Sequence, residues 1–404
     1  MIKKFLPSLL AILLTSSIAT PPTASAQTAA LSPLDPIAAQ IAATNPSLRA
    51  TSLRLDASRA ELLTQNTLPD PEISVSPQFG RPGQKVGVEA TQSFDWPGVY
   101  TARARAARAQ SAAMTHQLDA RRLEITTQIK TLLIDIIASR QLVDLHTSTL
   151  SHIDSLISAA DRAAACGDLS RLDLNKLRIE RLLAARRLGE ATLSLSSSTS
   201  QLQTLAGGDT APSVAPLISS LQTFPLLPLL PLDTYLQAAT TRNPSLLQAD
   251  ALTAAARLDA QATHRQRLPG FTLGYTYEYD LGDHYSGFTL GLTLPIFSSR
   301  HRRQASTATI LALQAEATEL AATTRSEIIS LHTQLQRLDT EIAAMTQALA
   351  SGDNLRLLTR AYTARQITLL DYLQDRAYFL DAHALLIDLH RQRDTLHIQL
   401  SQYL

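Results

Sequence analysis

The sequence has only one cysteine, Cys166, among 404 residues. A single cysteine cannot form a disulfide within the chain, so the fold must be stabilised by packing or by oligomerisation. No Cys or His lies at metal-ligand spacing from Cys166, and we expect it to be a small buried side chain rather than a ligand. Aromatic residues are also scarce, at 5% of the chain. No stretch beyond the first residues approaches the roughly 18 apolar residues of a transmembrane helix.

The sequence also lacks an excess of charge of either sign. It has 36 Lys and Arg against 35 Asp and Glu. A nucleic-acid-binding protein is expected to carry a basic surface, so we expect no nucleic-acid partner. The chain shows no Gly-rich phosphate loop before a helix and no Ser, Cys or His in a recognisable nucleophile setting. The sequence therefore predicts a protein that is not an enzyme and that uses no cofactor and no bound metal.

The first 26 residues have the pattern of a secretory signal peptide. Lys3 and Lys4 precede a short apolar run, and Ala24-Ser25-Ala26 provides small residues at a cleavage site. We expect the mature chain to begin at Gln27 and to be exported. Without Lys3 and Lys4, 36 − 2 = 34 basic residues face 35 acidic ones, a net charge of −1.

Proline is absent between Pro97 and Pro212 and again after Pro295. Both stretches are rich in good helix formers and contain apolar residues at alternating spacings of three and four, which indicates coiled-coil-like packing. Each stretch breaks once, near Gly167-Asp168 and near Arg365-Gln366. The sequence therefore predicts two helical hairpins, each with a long and a shorter helix.

Two landmarks recur at the same offset of 198 residues. Asn45-Pro46-Ser47-Leu48 returns as Asn243-Pro244-Ser245-Leu246, and Leu169-Ser170-Arg171-Leu172-Asp173 is matched by Ile367-Thr368-Leu369-Leu370-Asp371. A shared offset indicates a duplicated unit. We predict a first repeat over 27–206, a Pro-rich linker over 207–232 and a second repeat over 233–404.

The helices of the two repeats have predicted limits. A leading helix is expected at about 37–67 in the first repeat and at about 233–267 in the second. The first helical hairpin is expected to have its long helix at about 98–164 and its short helix at about 170–206.

Each repeat also contains a segment in which apolar and polar residues alternate, over 71–94 and 271–295. This period of two predicts two β-hairpins. Either the helices cover their apolar faces, in a soluble α+β protein, or lipid covers them. The strand length and the apolar-out, Thr/Gly/Glu-in alternation fit a membrane barrel. Four tyrosines near the loop end of the second hairpin are predicted to form an interfacial aromatic girdle: Tyr275, Tyr277, Tyr279 and Tyr285.

Four strands are too few for a membrane barrel, which needs at least about eight and leaves no open edge. The chain must therefore share a barrel with copies of itself. A dimer supplies eight strands, and side chains just fill the interior of an eight-stranded barrel. A trimer supplies twelve strands and leaves room for a channel. These considerations favour a trimeric conduit.

These features resemble the TolC-type outer-membrane efflux proteins over nearly all of the mature chain. The likeness rests on the doubled Asn-Pro-Ser-Leu helix starts, the Leu-Pro before each β-hairpin and the turns around Gly167 and Arg365. The corner Asp95-Trp96-Pro97-Gly98, followed by Arg103 and Arg105, is most similar to the heavy-metal branch linked to resistance–nodulation–division (RND) pumps.

The resemblance implies a mainly α fold with a membrane β-barrel. A homotrimer would form a twelve-stranded barrel in the outer membrane of a Gram-negative bacterium, above an α-helical tunnel in the periplasm. Its partners would be a periplasmic adaptor (membrane fusion) protein, an inner-membrane pump of the RND type and outer-membrane lipid. The channel would carry drugs, metal ions or other small molecules passively.

The resemblance also assigns roles at the periplasmic tip. The adaptor would contact Gly167, Asp168, Leu169, Ser170, Gln366, Ile367 and Thr368. Asp371 would form an acidic ring around the aperture, and Asp173 would latch the tip through a basic partner. The usual partner position is the apolar Ile367, so Arg365 or Arg360 would have to replace it. Gln374 stands where a second acidic ring can occur. Alternatively, both aspartates are ordinary residues at helix N-termini.

The sequence also contains four histidines whose roles have to be considered, and it allows a second class of function. His383, His390 and His397 share one helix face but lie about 10 Å apart, too far to bind one ion. They form either rings across a threefold axis or a solvated, groove-facing stripe, and His146 is expected to be a hydrogen-bonded packing residue. The alternative to a channel is a soluble periplasmic coiled-coil scaffold or tethering protein, which explains the heptads but not the tyrosine-rich hairpin.

Overall fold

The computed structural model describes residues 32–64, 66–79, 84–166, 170–280, 282–294, 299–350 and 354–404. The predicted signal peptide lies outside these residues. So do three of the predicted tip residues, Gly167, Asp168 and Leu169.

The chain forms ten α-helices and four strands within the described residues. In chain order they are α1 (Asp35–Thr44), α2 (Pro46–Thr64), β1 (Glu72–Phe79), β2 (Gln84–Phe94), α3 (Pro97–Ala165), α4 (Arg171–Ala206), α5 (Ala215–Ile218), α6 (Leu232–Arg242), α7 (Pro244–Arg265), β3 (Gly270–Asp280), β4 (Asp283–Thr293), α8 (Ser299–Ala350), α9 (Asn354–Thr363) and α10 (Leu369–Ser401). None of these helices contains a stretch that is long and apolar enough to cross a bilayer.

The longest helix, α3, has 69 residues and extends about 100 Å. It begins two residues after the sheet and ends at the turn to α4. Its buried apolar residues include Ile125, Ile129 and Ile136 of the predicted heptad stripe. In the second half of the chain, Ile328 and Leu335 of the matching stripe are fully buried. The helical hairpins are therefore packed along the seams that the apolar spacing predicts.

Each predicted leading helix is broken in two at its Asn-Pro pair. The residue before a proline is disfavoured in the helical region, and Asn45 and Asn243 are both extended. Asn243 Oδ1 then accepts hydrogen bonds from the backbone N–H groups of Ser245 and Leu246 at 2.9 and 3.2 Å. Asn45 Oδ1 accepts from Leu48 at 3.0 Å. Each asparagine thus ends one helix and caps the next.

The four strands form one antiparallel sheet in the order β1-β2-β3-β4. The two hairpins are joined by β2 and β3, where Phe94 pairs with Phe271. Side chains of one face are apolar, and those of β1 and β4 are widely exposed: Ile73 is 71% exposed and Phe288 83% exposed. Among the described residues no helix covers this face, in contrast to a soluble α+β fold. β1 and β4 are the two outer strands of the sheet.

The linker between the two halves is held by side chains of the long helices. Arg140 Nη1 on α3 donates to the carbonyls of Ile218 and Leu221 at 3.0 and 2.6 Å. Arg393 Nη2 on α10 donates to Leu227 O at 2.6 Å. These carbonyls of the irregular segment thus accept hydrogen bonds from cationic donors, which hold the linker against the helices.

Candidate functional site

The helical tip is the place where the turn ends of both helical hairpins meet. Ala160 of α3, Leu177 of α4, and Leu369 and Tyr372 of α10 form one buried apolar cluster. Ile367, one of the predicted tip residues, packs against it. The tip is therefore stabilised by contacts between the two halves of one chain.

Two of the predicted tip residues, Ser170 and Gln366, take part in the helix ends. Ser170 is the N-cap of α4, and its hydroxyl accepts a hydrogen bond from Leu172 N at 3.1 Å. The N–H of Gln366 donates to Ala361 O at 2.9 Å, and that of Arg365 to Tyr362 O at 3.0 Å. This pair of bonds is the Schellman arrangement, which ends a helix with a left-handed residue.

That left-handed residue is Arg365, with a φ of 57°. Glycine favours this conformation because it has no Cβ. The repeat mate of Arg365 is Gly167, and the sequence leaves the second turn's geometry in question because an arginine replaces glycine. In the structure the arginine itself adopts this left-handed conformation, at a cost in backbone strain.

Asp371 lies in the first turn of α10 and is exposed. Its Oδ2 accepts hydrogen bonds from Thr368 Oγ1 at 2.6 Å and from Thr368 N at 3.3 Å, while Asp371 N donates to Thr368 Oγ1 at 3.2 Å. This is a capping box. Within one chain, Asp371 and Thr368 therefore stabilise the start of α10, and the second carboxylate oxygen stays on the surface. Gln374, one turn further on, is also exposed.

Asp173 has a different basic partner from those considered for it. Its Oδ1 lies 3.1 Å from Lys176 Nζ, one turn along α4. Neither Arg360 nor Arg365 forms an ion pair with Asp173 in the part of the chain that the structure describes. Within the chain, Lys176 is the basic partner of Asp173 because it lies within reach on the same helix, and a latch through Arg360 or Arg365 stays a prediction.

A polar contact inside the tip was not found from the sequence. His152 Nε2 on α3 lies 2.6 Å from the Tyr372 hydroxyl on α10. Tyr372 is fully buried and stacks on Tyr362 with ring centroids 4.8 Å apart. Burial, and then the positive charge of Arg376, lower the pKa of His152. Spacing along the sequence offers no signal for this pair, because its members are 220 residues apart.

Arg376 is a buried cation beside the same tyrosine. It is only 9% exposed, and its Nη1 lies 3.5 Å from Tyr372 Oη. Its Nε has no hydrogen-bond partner, and no carboxylate pairs with it among the described residues. Tyr372 is thus the polar centre around which His152 and Arg376 are arranged.

The three histidines on one face of α10 contact either their own helix or the linker. His383 Nδ1 lies 2.7 Å from the carbonyl of Phe379. His390 stacks on Phe224 of the linker at 5.6 Å, and His397 Nε2 lies 3.3 Å from Pro228 O. Burial lowers the pKa of both His390 and His397. These positions fit a groove-facing stripe, with the linker lying in the groove.

His146 and Cys166 were expected to be packing residues. Burial is the main cause that lowers the pKa of His146. Cys166, in contrast, is exposed, so the expectation of a buried side chain is wrong. The residue follows the last helical residue of α3, where the chain turns away from the hairpin core. Within the described residues, no group of three His, Cys, Asp or Glu side chains is arranged to hold a metal ion.

The strand register places the four tyrosines of the predicted girdle on two different faces of the sheet. Tyr275, Tyr277 and Tyr279 lie on the apolar face and are partly exposed. Tyr285 pairs with Glu278 and therefore lies on the polar face. The reason is the register of β3 and β4, in which Asp280 pairs with Asp283.

The prediction that Tyr285 lies with the other three tyrosines is therefore wrong, and His284 lies on their face instead. His284 pairs with Tyr279, and its Nδ1 is hydrogen-bonded to Tyr277 Oη. On the polar face, Lys85 Nζ lies 3.0 Å from Glu278 Oε2.

The fold and the two ends of the molecule define a class of protein. A sheet with one apolar face is attached at one end to long helical hairpins that meet again at the tip, and the solved MtrE outer membrane channel has the same fold. Residues 37–208 match the family model described as outer membrane efflux protein. This part of the chain is therefore similar to the outer membrane efflux proteins, in line with the sequence resemblance.

Individual relatives agree with this assignment. The chain is 26% identical over 192 residues to the cobalt-zinc-cadmium resistance protein CzcC of Cupriavidus metallidurans, a match that covers 46% of this chain and 45% of CzcC. The chain thus spans about half the length of this curated relative.

Two solved structures match nearly the whole fold. A membrane protein from Pseudomonas aeruginosa has a TM-score of 0.78 at 20% identity, with 92% of each chain covered. The MtrE outer membrane channel of Neisseria gonorrhoeae has a TM-score of 0.72 at 18% identity, covering 92% of this chain and 88% of that chain. These matches confirm the predicted fold class.

Proposed function

We propose that this chain is the outer-membrane channel subunit of a tripartite efflux system. It acts as a passive conduit from a periplasmic pump and adaptor to the exterior and performs no chemistry of its own. The observation that carries this proposal is the sheet, whose apolar face is exposed and whose outer strands, β1 and β4, are open to further pairing. A soluble scaffold would not leave so large an apolar surface in water.

The active form is a homotrimer. Each protomer contributes four strands, and three protomers contribute the twelve that close a barrel with an open interior. The face that carries Glu89, Thr276 and Glu278 would line the pore, and the face of Tyr275, Tyr277 and Tyr279 would meet outer-membrane lipid. The three tyrosines and His284 lie toward the turn end of the sheet, where they would mark one interface of the bilayer.

The two halves of the chain correspond to one duplicated unit, with the limits 27–206 and 233–404 and the linker 207–232. Each half supplies a β-hairpin to the barrel and a helical hairpin to the tunnel. Three protomers then approximate sixfold symmetry, which is reduced to threefold where the halves differ.

The tip would dock the periplasmic adaptor through the two turns, at Gly167, Asp168, Leu169 and Ser170 and at Gln366, Ile367 and Thr368. The pump would be of the RND type. The transported molecules would be metal ions, drugs or other small molecules. The name of the relative CzcC makes divalent metal ions the first to be tested.

The aperture would be gated at Asp371. Its carboxylate is on the surface, with one oxygen free of the capping box. Three such carboxylates near one axis would repel each other and attract cations. Asp173, Arg365 and Gln374 would shape the surrounding rim, with Lys176 holding Asp173 in place.

Conductance in planar lipid bilayers tests the channel and its gate together. The purified mature protein should give discrete channels with a preference for cations. Asp371→Asn should reduce this preference, whereas Asp375→Asn, an exposed acidic residue on the same helix, should change it less. A protein that gives no conductance and stays soluble would instead be a periplasmic scaffold.

A further inference from the structure

The segments of α3, α7 and α8 that adjoin the strands carry basic residues and no acidic ones. No Asp or Glu occurs in residues 97–118, 260–277 or 284–315, although the chain as a whole is almost neutral. The arginines of these three segments are Arg103, Arg105, Arg108, Arg265, Arg267, Arg300, Arg302 and Arg303. Such a concentration of one sign marks the junction of strands and helices as electrostatically distinct from the rest of the molecule.

Helix stability does not explain these basic segments. A cation is unfavourable near the N-terminus of a helix because the helix dipole is positive there. Arg302 and Arg303 nevertheless lie in the first turns of α8, and Arg103 lies in the second turn of α3, where it pairs with Asp95 at 2.7 Å. The arginines of α8 therefore have to be accounted for by something outside the helix.

A cleft lies among these segments, between the end of α7 and the start of α8. It has a volume of about 290 Å³ and is lined by His264, Arg267 and Arg303 together with the polar side chains of Gln261, Thr263, Ser306 and Thr307. Neither Arg267 nor Arg303 forms an ion pair with a carboxylate within the described ranges. Two unpaired guanidinium groups, with hydroxyls beside them, are the donors that bind a phosphate.

The cleft adjoins the apolar face of the sheet. Trp96 is partly exposed and contacts Phe271 of that face, with ring centroids 5.3 Å apart. Arg265 lies beside Trp96 and donates from Nη1 to Gly98 O at 3.1 Å. The next residue, Gln266, accepts a hydrogen bond from Arg302 Nη1 at 3.2 Å. These contacts lead from the apolar face to the rim of the cleft.

The position of the cleft along the sheet shows which end of the apolar face it adjoins. The strands meet the helices at one end, where Gly270 pairs with Thr293, and the pairs Phe79–Gln84 and Asp280–Asp283 lie at the other end. Arg267 is three residues before β3. A tryptophan and a cluster of cations at the edge of an apolar band are typical of a membrane interface with anionic headgroups.

We propose that the cleft between α7 and α8 binds the phosphate-bearing headgroup of an anionic phospholipid whose acyl chains lie against the apolar face of the sheet. This inference rests on the proposed function, which places the sheet in the outer membrane with its helical end on the periplasmic side. The lipid would then belong to the periplasmic leaflet and would fix the height of the barrel in the bilayer.

Lipid retention by the purified full-length protein tests the proposal. The protein is reconstituted in nanodiscs of phosphatidylethanolamine with 20% phosphatidylglycerol, extracted in mild detergent, and the retained lipid is measured by mass spectrometry. The unmodified protein should enrich phosphatidylglycerol several-fold over the input, and enrichment should fall with added salt because the contact is ionic. The double variant Arg267→Gln with Arg303→Gln should lose the enrichment.

The matched control removes two exposed arginines at the opposite end of the molecule, Arg171→Gln with Arg360→Gln, and should leave enrichment unchanged. Equal loss in both variants, or no enrichment in the unmodified protein, would overturn the proposal. Binding of inorganic phosphate to the lipid-free protein without phosphatidylglycerol enrichment would show a free-phosphate site instead. If the arginine variant alters conductance but not lipid retention, the cleft lines the tunnel and the lipid proposal is wrong.

Failure of the proposed function would look different. In that case the unmodified protein would not insert into the nanodiscs at all. If the double variant does not assemble, the single variant Arg267→Gln and the salt dependence of the unmodified protein still decide the outcome.

Discussion

His152 Nε2 and the Tyr372 hydroxyl lie 2.6 Å apart and join the long helix of the first hairpin to the short helix of the second. This contact lies in the apolar cluster at the tip, close to the predicted gate. Any opening that separates α3 from α10 must break it. The pair therefore links the stability of the tip to its movement.

Replacing Tyr372 by Phe should destabilise the protein. The hydroxyl is lost, and His152 and the buried Arg376 are left without their shared polar partner, which should cost about 1–2 kcal/mol. Thermal unfolding of the purified protein measures the effect. Tyr378→Phe is the matched control, because Tyr378 lies on the same helix but is 72% exposed. Equal melting temperatures for the two variants would show that the His152 contact contributes nothing.

Stability of the tip should decrease in acid. Burial and Arg376 lower the pKa of His152 from its usual 6.5. A histidine with a lowered pKa in the folded state favours the neutral form, so its unfavourable contribution appears as the pH falls below 6.5 and is complete below the folded pKa. His146, His390 and His397 shift in the same direction.

The contribution of His152 can be separated by substitution. His152→Gln should show a smaller drop in melting temperature between pH 8 and pH 5 than the unmodified protein. His301→Gln, at an exposed position, should leave the drop unchanged. An unaltered pH profile in His152→Gln would contradict this assignment.

Arg365→Gly should stabilise the second turn. Arg365 has a φ of 57°, a conformation that costs a residue with a Cβ about 1 kcal/mol more than glycine. The gain is partly offset by the greater freedom of glycine in the unfolded chain. Arg360→Gly, within α9, should instead destabilise by about 1 kcal/mol. Chemical denaturation distinguishes the two, and destabilisation by Arg365→Gly would mean that the arginine side chain itself holds the turn.

Replacing the asparagine by aspartate should change the free energy of unfolding differently at the two Asn-Pro breaks. Asp keeps the capping oxygen, so Asn243→Asp should be nearly neutral. Asn45 has a second role, because its Nδ2 donates to Leu205 O at 2.7 Å. Asn45→Asp loses this donor, places a carboxylate against a carbonyl, and should cost about 1–3 kcal/mol. Equal unfolding free energies for the two variants would show that the Leu205 contact is unimportant.

The elements were predictable where local periodicity determines them. The strands begin and end within a few residues of the predicted hairpins, because alternation is strict over both. The leading helix predicted at about 37–67 runs across Asn45-Pro46, although the resemblance marks this motif as a helix start. The structure breaks the helix there because the residue before a proline is disfavoured in the helical region. Tyr285 was placed on the wrong face because a strand register depends on turn length.

Contacts between elements that are far apart along the chain could not be predicted from the sequence. His152 and Tyr372 meet only because α3 and α10 pack side by side at the tip. The cleft of Arg267 and Arg303 likewise requires the end of α7 to lie beside the start of α8. Spacing along the chain does not indicate which helices become neighbours.

The mass and location of the native protein test the central claim most directly. After outer-membrane isolation and mild detergent extraction, native mass spectrometry should show a species three times the mass of the mature chain, with no monomer in the periplasmic fraction. A soluble monomer in the periplasm would contradict the account, because the apolar face of the sheet would then have no lipid and no neighbouring strand to cover it.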